Sequence, residues 1–327
     1  MNLYGFAVLL VIFGVAMAAL DLLLLALSPR LLESLARIAP GRRTDAIMLL
    51  RSAPVVLAVA VTALVFLPSW WAHEPQDTGE TVSALLLVLA LLSALPLLQG
   101  LYRATLMLVK TRDRLLRWRG RGRSTPQVEA PFEVLEVTSE DLALCVGGYL
   151  RPTIYASTDV MKSLEPEEFS AALAHEVSHA RRRDPLRLLW LGSCPDFLRL
   201  FRLDGPWRRA FSRACEFAAD AGASGGNPER ALDLASALVK VARLRTFRPM
   251  SADALADVAV SSAFSSRVDL AARVEALANP RPEIATAGPR LRPWMFAAAL
   301  LALSATGALA SEHVHAVTEA VGRLLAP

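Results

Sequence analysis

Apolar residues along this chain form four long runs near its two ends, while the central part mixes apolar and charged positions. The runs cover residues 3–27, 46–69, 82–102 and 294–310. A helix needs about 20 apolar residues to cross the hydrocarbon core of a bilayer. The pattern therefore predicts three membrane-spanning helices near the start of the chain and a shorter fourth helix near its end.

The first apolar run is predicted to stay in the mature protein as a membrane anchor. It has no basic residue ahead of it, is longer than the core of a usual signal peptide and lacks an obvious cleavage site. Asp21 lies within this run and Arg51 within the second, close to the same expected membrane face. We expect these two charges to snorkel or to pair, without a catalytic role.

The central part predicts a small sheet followed only by helices. Strand-like patterns occur at residues 132–137, 142–147 and 152–156. An exposed sheet edge can bind an extended peptide through main-chain hydrogen bonds, and the hairpin at 146–155 is the candidate edge. A purely structural hairpin is an equal alternative. The expected fold class is α+β and mainly helical, with about four transmembrane helices and a small β-sheet in the central domain.

One predicted helix contains the sequence HEVSH at residues 175–179. Pro166 and several acidic residues stand where this helix should begin, and the Arg181–Arg183 run followed by Asp184 and Pro185 stands where it should end. Residues four apart lie on one face of a helix, so both imidazoles can reach one metal ion. The pattern matches the HExxH signature of zinc hydrolases, in which Glu176 acts on water. A surface helix with unrelated histidines is the alternative.

A second predicted helix supplies a third ligand for the metal. It begins near Asp204 and Pro206 and carries Glu216 and Asp220, again four residues apart. Glu216 can complete the set formed by His175 and His179, while Asp220 can bond the other nitrogen of a ligand histidine and fix its tautomer. The alternative is an exposed acidic face that pairs with nearby arginines.

Four segments together resemble the integral-membrane zinc metallopeptidases of the beta-lactam-sensor/antirepressor type. They are VGGYLRPTIY at 146–155, HEVSH at 175–179, RRRDP at 181–185 and EFAAD at 216–220. The ending of the last segment is equally similar to the HtpX and CAAX-prenyl-protease group. Both resemblances imply a gluzincin (zincin) domain, with His175, His179 and Glu216 on Zn²⁺ and Glu176 as catalytic base.

The resemblance leaves the donor for the oxyanion open. In the HtpX group a His precedes an Arg by six positions, and Arg267 stands where that His would be, ahead of Arg273. Related zinc peptidases use a His, Tyr or Arg for this role, so Arg267 and Arg273 are the candidates. Our preferred alternative is that both arginines form salt bridges on a helix surface.

Charge predicts the orientation of the chain in the membrane. Basic residues follow the first and third runs and precede the fourth, whereas residues 70–81 contain acids but no Lys or Arg. The central domain is thus expected on the cytoplasmic side of an inner membrane. The expected division is a three-helix membrane region at 1–110, the metallopeptidase domain at 111–292, a fourth span at 293–310 and a short extracytoplasmic tail at 311–327.

Composition agrees with a membrane protein in a reducing compartment. The chain is 54% hydrophobic, carries a net charge of +4 and has three cysteines, too few for a disulfide framework. The basic linker near Trp118 could contact nucleic acid, but arginines beside a membrane span usually reflect topology and anionic lipid, so no nucleic-acid partner is expected. Cys215, next to Glu216, points to another side of its helix and is expected to be a buried apolar residue.

These observations predict a membrane-anchored zinc endopeptidase. Its expected substrates are cytoplasmic or membrane-proximal proteins, including a cytoplasmic repressor. Membrane lipid is expected to surround its apolar helices. Two alternatives stay open: an HtpX-like protease for quality control of membrane proteins, and a non-enzymatic membrane regulator that keeps zinc for its shape. The arrangement of three spans before the motif and one after it favours the antirepressor type over the HtpX group.

Overall fold

The computed structural model describes residues 3–73, 82–125, 130–138, 142–246, 270–279, 304–305, 307 and 309–324. Most of these residues are helical, and a small mixed sheet lies among them. The helices are α1 (Leu3–Ala36), α2 (Pro40–Val61), α3 (Leu67–His73), α4 (Ala84–Arg121), α5 (Thr158–Ser163), α6 (Pro166–Arg182), α7 (Asp184–Ser193), α8 (Phe197–Leu200), α9 (Gly205–Ser224), α10 (Pro228–Thr246), α11 (Leu270–Ala278) and α12 (Ser311–Leu324). The strands are β1 (Gly122–Ser124), β2 (Val134–Val137), β3 (Leu144–Gly147) and β4 (Thr153–Ser157).

Among the described residues, three helical stretches are long and apolar enough to cross a membrane. They are Leu3–Ala36, Pro40–Ala72 and Ala84–Arg121, the second of which contains a π-helical turn at Thr62–Phe66. Most of the expected fourth span, residues 294–303, lies outside the described residues. Three candidate spans are therefore observed, and the fourth stays a prediction.

The membrane helices are longer than the apolar runs that predict them. The segment expected to connect the first two spans, residues 28–45, is helical except at residues 37–39. The basic linker after the third run likewise continues α4 to Arg121. Arg and Lys have high helix propensity, so a helix that leaves the apolar region can continue into a polar environment. The predicted start of the central domain at residue 111 consequently falls within α4.

The sheet has the strand order β1-β2-β4-β3. Strands β3 and β4 form the expected antiparallel hairpin, β2 runs parallel to β4, and β1 pairs with β2 in the antiparallel sense. Gly148 has a φ of 99° in the hairpin turn, a conformation that favours glycine. The hairpin thus places β3 at one edge of the sheet, while β1 forms the other edge and was not predicted.

The core of the central domain covers both faces of β4. Ile154 packs with Val177 of α6 and Val241 of α10 on one face, and all three are buried. Tyr155 packs on the other face against Trp118, near the end of α4. The long helix α4 therefore packs on the face of the sheet opposite to the face that α6 covers.

Helix α9 fixes the central domain to the first two membrane helices. Trp207 and Cys215 of α9 are buried in one cluster with Leu24 of α1 and Ile47 of α2. The indole nitrogen of Trp207 also donates a hydrogen bond to Ser28 Oγ at 2.8 Å. Cys215 is a buried packing residue, as its position on the helix predicts.

The charged residues within the first two apolar runs, Asp21 and Arg51, both contact the segment around α8. Arg51 forms a buried ion pair with Asp196, and the Asp21 carboxylate accepts a hydrogen bond from the backbone N–H of Phe197 at 2.8 Å. Each of Asp21 and Arg51 is only 1% exposed. Of the two expectations, pairing is observed and snorkelling is not.

Candidate metal centre

Helix α6 places the two histidines side by side in the interior. Its start is fixed by a capping box between Glu165 and Glu168, with Pro166 in the first turn. His175 and His179 lie one turn apart, both are fully buried, and their Nε2 atoms are 3.0 Å apart. The spacing of four residues therefore brings both ring nitrogens to one point.

Helix α9 brings Glu216 to the same point. Its carboxylate oxygens lie 3.6 Å from His175 Nε2 and 3.8 Å from His179 Nε2, and the three ligand atoms all fall within 4.8 Å of one another. Two ligands of one tetrahedral zinc ion are about 3.3 Å apart, since each bond is about 2.0–2.1 Å long. The three side chains form a buried group that could hold a metal ion.

A carboxylate contacts the other nitrogen of each histidine. Asp220 Oδ1 lies 2.9 Å from His175 Nδ1, and Asp184 Oδ2 lies 2.7 Å from His179 Nδ1. These contacts favour the tautomer with the proton on Nδ1, which leaves the lone pair of each Nε2 directed at its neighbour. Two lone pairs that converge in a buried site are stabilised by a cation between them.

The charges around His175 also fit a bound metal ion. Burial lowers the pKa of His175, but the contacts with Asp220 and Glu216 raise it more, to about 9. The surroundings of the ring thus favour positive charge on it. A divalent cation supplies that charge in place of the proton, so the donor set fits a metal.

Arg273 of α11 holds two carboxylates of the site. Its Nε and Nη2 donate to the two oxygens of Asp220 at 2.8 and 2.6 Å, and its Nη1 lies 2.9 Å from Glu216 Oε2. Burial raises the pKa of both carboxyls, but Arg273 and the histidines lower it more, to about 2 for Asp220. Both carboxylates are therefore ionised at neutral pH.

Of the remaining predicted site residues, the structure describes Glu176 and Arg273, and both are buried. Glu176 is fully buried on α6, next to His175 in the sequence. Arg273 is only 2% exposed, which differs from the surface position expected of it, because its guanidinium group contacts the buried acids. Arg267 lies outside the described residues.

Sequence reasoning missed the role of Asp184. The sequence pattern marks Asp184 only as part of the signal that ends the motif helix. Arg183 adopts the left-handed conformation with a φ of 54°, and this turn directs Asp184, at the start of α7, back toward His179. An acid five residues after the second histidine was the available signal, but its direction depends on the turn.

Comparisons of the chain with protein-family models, with curated proteins and with solved structures found no match.

Proposed function

We propose that this chain is a membrane-anchored zinc endopeptidase that hydrolyses peptide bonds of cytoplasmic or membrane-proximal proteins. The observation that carries the proposal is the convergence of His175, His179 and Glu216 in a site that also contains Glu176. A site that only stabilises the fold has no need of a buried acid beside its ligands. The resemblance to the antirepressor type supports a cytoplasmic repressor as substrate.

The residues of the site act as metal ligands, as a base or as groups that orient the ligands. His175, His179 and Glu216 would hold Zn²⁺, which supplies Lewis acidity that lowers the pKa of water and polarises a carbonyl group. The Glu176 carboxylate accepts a proton from the attacking water and returns it to the leaving amine.

The other charged groups orient the ligands. Asp220 and Asp184 keep the Nδ1 protons of the two histidines in place, so that each Nε2 faces the metal position. Arg273 holds Glu216 and Asp220 at fixed positions through the contacts of its three nitrogens. Because that guanidinium group is directed at the two acids, Arg273 acts as a positioning residue in this proposal.

A membrane location with the domain in the cytoplasm is part of the proposal. The three candidate spans support the membrane location. The basic residues at the ends of α1 and α4 support a cytoplasmic domain. An HtpX-like quality-control protease would use the same chemistry, and it differs only in substrate.

A second candidate function is a non-enzymatic membrane regulator that keeps the metal for its shape. One observation favours it: His175, Glu176 and His179 are fully buried, so a peptide cannot reach them in this conformation. A peptidase of this structure has to open between the elements that cover α6 before the substrate binds.

The test compares the full chain, Glu176→Gln and the control Glu167→Gln in membranes. Glu167 is an exposed acid on the same helix. Cleavage of labelled unfolded casein and of the chain itself is measured, together with bound zinc by mass spectrometry. We expect Glu176→Gln to keep zinc and to lose about 10²–10⁴-fold in kcat/KM, with Glu167→Gln unchanged.

Removal of the metal provides the complementary arm of this test. A chelator should abolish cleavage by the unsubstituted chain, and added zinc should restore it. Equal cleavage by the unsubstituted chain and Glu176→Gln contradicts the peptidase proposal. Bound zinc without cleavage of any probe by either favours the regulator.

A further inference from the structure

The segment that follows the metal centre, residues 188–201, packs deeply among the membrane helices. Phe197 of α8 packs against the cluster formed by Phe13, Met17 and Ala58. Met17 lies about 20 Å along the helix axis before Arg30, the first basic residue of α1. The hydrocarbon core of a bilayer is about 30 Å thick, so a side chain beside Met17 lies well inside it.

A second set of contacts gives the segment a similar depth against α4. A Cβ added at Gly100 would lie 2.6 Å from the carbonyl oxygen of Ser193 and 3.2 Å from Pro195, so the two backbones approach closely. Gly100 belongs to the apolar part of α4, and the first charged residue after it is Arg103. The Nε of Arg103 donates a hydrogen bond to the Gly192 carbonyl at 3.3 Å. The chain between α7 and α8 thus reaches past the basic end of the span.

The charged side chains of the segment pair with opposite charges inside the protein. Within residues 188–201, all of which the structure describes, the only charged side chains are Asp196 and Arg199, and both are buried. Asp196 pairs with Arg51 of α2, and Arg199 Nη1 lies 3.2 Å from Asp204. Non-helical backbone is tolerated at membrane depth where it is buried in protein in this way.

The surface that the segment exposes is apolar. Trp190 is 50% exposed and Phe201 67% exposed, and Leu203 just beyond is 44% exposed. Arg202 between the last two and Arg208 after them are the nearest exposed basic residues. Large apolar side chains followed by arginines are typical of a surface that enters the headgroup region and the acyl chains.

We propose that residues 188–201 form a re-entrant segment that enters the cytoplasmic half of the bilayer and contacts lipid acyl chains through Trp190 and Phe201. The candidate spans also expose apolar side chains, such as Leu98 and Leu101 on α4, the helix whose Gly100 lies close to Ser193. The occupant of this surface is lipid, and the proposal does not depend on peptidase activity. Because α7 begins at Asp184, which contacts His179, the lipid-facing segment is continuous with the metal centre.

Spin labels test the proposal in the full chain reconstituted into vesicles of phosphatidylcholine and phosphatidylglycerol. Phe201→Cys places a label at the end of the segment, and Leu203→Cys places one just beyond it. Leu98→Cys is the lipid-facing control, and Leu232→Cys on α10, which is 55% exposed, is the control away from the candidate spans. The native cysteines are buried, and the unsubstituted chain measures their background labelling. Power-saturation spectroscopy then compares collisions with oxygen, which is enriched in acyl chains, and with a water-soluble nickel chelate.

We expect labels at 201 and 203 to match the label at 98, with frequent collisions with oxygen and loss of collisions with the nickel chelate. The label at 232 should show the reverse. Nickel collisions at 201 and 203 equal to those at 232 would place the segment in water and overturn the proposal. Protection from both reagents would show that protein covers the surface, which also overturns it.

Discussion

Asp184 Oδ2 lies 2.7 Å from His179 Nδ1, although the acid belongs to the helix that follows the motif helix. The contact crosses the left-handed turn at Arg183 and is fully buried on both sides. It ties the orientation of one proposed metal ligand to the start of α7. Asp220 Oδ1 likewise lies 2.9 Å from His175 Nδ1, as an ion-pair contact rather than a well-aligned hydrogen bond, so each imidazole has its own carboxylate.

Replacement of Asp184 by Asn should weaken metal binding by about 10–100-fold, because the ring of His179 loses the charge that holds its proton on Nδ1 and raises its basicity. The measurement is a competition titration of zinc against a chelator with the purified full chain. Asp159→Asn, at an exposed acid on α5, is the matched control and should keep the affinity of the unsubstituted chain. An unchanged affinity in Asp184→Asn would show that the contact does not support the ligand.

Replacement of Arg273 by Met should destabilise the metal-free chain by about 3–5 kcal/mol, because Glu216 and Asp220 become buried charges without their cation. A bound zinc ion restores part of the positive charge. The loss of thermal stability should therefore be smaller with saturating zinc than with a chelator.

Two further variants test whether the stability loss of Arg273→Met comes from its contacts with the two acids or from removal of any arginine. Arg273→Lys keeps the charge but cannot contact both acids with the geometry of a guanidinium group, so its stability should lie between those of Arg273→Met and the unsubstituted chain. Arg230→Met, at an exposed position on α10, should have little effect. The same loss for Arg273→Met with and without zinc would contradict a link between Arg273 and the metal centre.

Glu168 should stabilise the fold in a pH-dependent way. Its carboxylate accepts hydrogen bonds from Ser236 at 2.6 Å, from Lys240 at 2.7 Å and from the backbone N–H of Glu165 at 2.9 Å. Burial raises the pKa of Glu168, but these donors lower it more, so the folded chain has a pKa below the ordinary value. A lowered carboxyl pKa adds stability above the pKa of the unfolded chain, and this stability is lost as the pH falls through the folded value.

The corresponding variant is Glu168→Gln, which should lose roughly 1–2 kcal/mol at pH 7 relative to the unsubstituted chain, since Lys240 is partly exposed. Thermal unfolding in detergent at a series of pH values measures the difference. It should shrink as the pH falls below the ordinary glutamate pKa and through the lowered pKa of the folded chain, where Glu168 becomes protonated. Glu167→Gln is the control without these hydrogen bonds, and a difference that does not depend on pH would refute the assignment.

Local signals were sufficient to predict the helices that carry the ligands. Pro166 and the acids near it mark the start of α6, and Asp204 and Pro206 mark the start of α9, because caps and prolines act within one turn. The spacing of His175 and His179 fixed their common face for the same reason. These features depend on the chain within a few residues of each position.

Long-range features could not be predicted in this way. The partner of Arg51 is Asp196, 145 residues away, and no periodicity in either helix contains that information. The contacts of Arg273 with Glu216 and Asp220 depend on how α11 packs against α9, so a surface position was the natural expectation from its sequence. Strand β1 was missed because its three residues GRS, in a basic stretch, carry no strand pattern and pair only through β2.

The orientation of the chain gives the last prediction. Basic residues lie near the C-terminal ends of α1 and α4, including Arg30 and Arg121, while the connection between the second and third spans contains only acidic charges. Positive charge is retained on the cytoplasmic side, so a reporter fused after residue 125 should be cytoplasmic. A fusion after Glu80 is the matched control and should report the opposite side. An extracytoplasmic signal from the fusion at 125 would move the proposed peptidase site outside the cytoplasm and exclude a cytoplasmic repressor as its substrate.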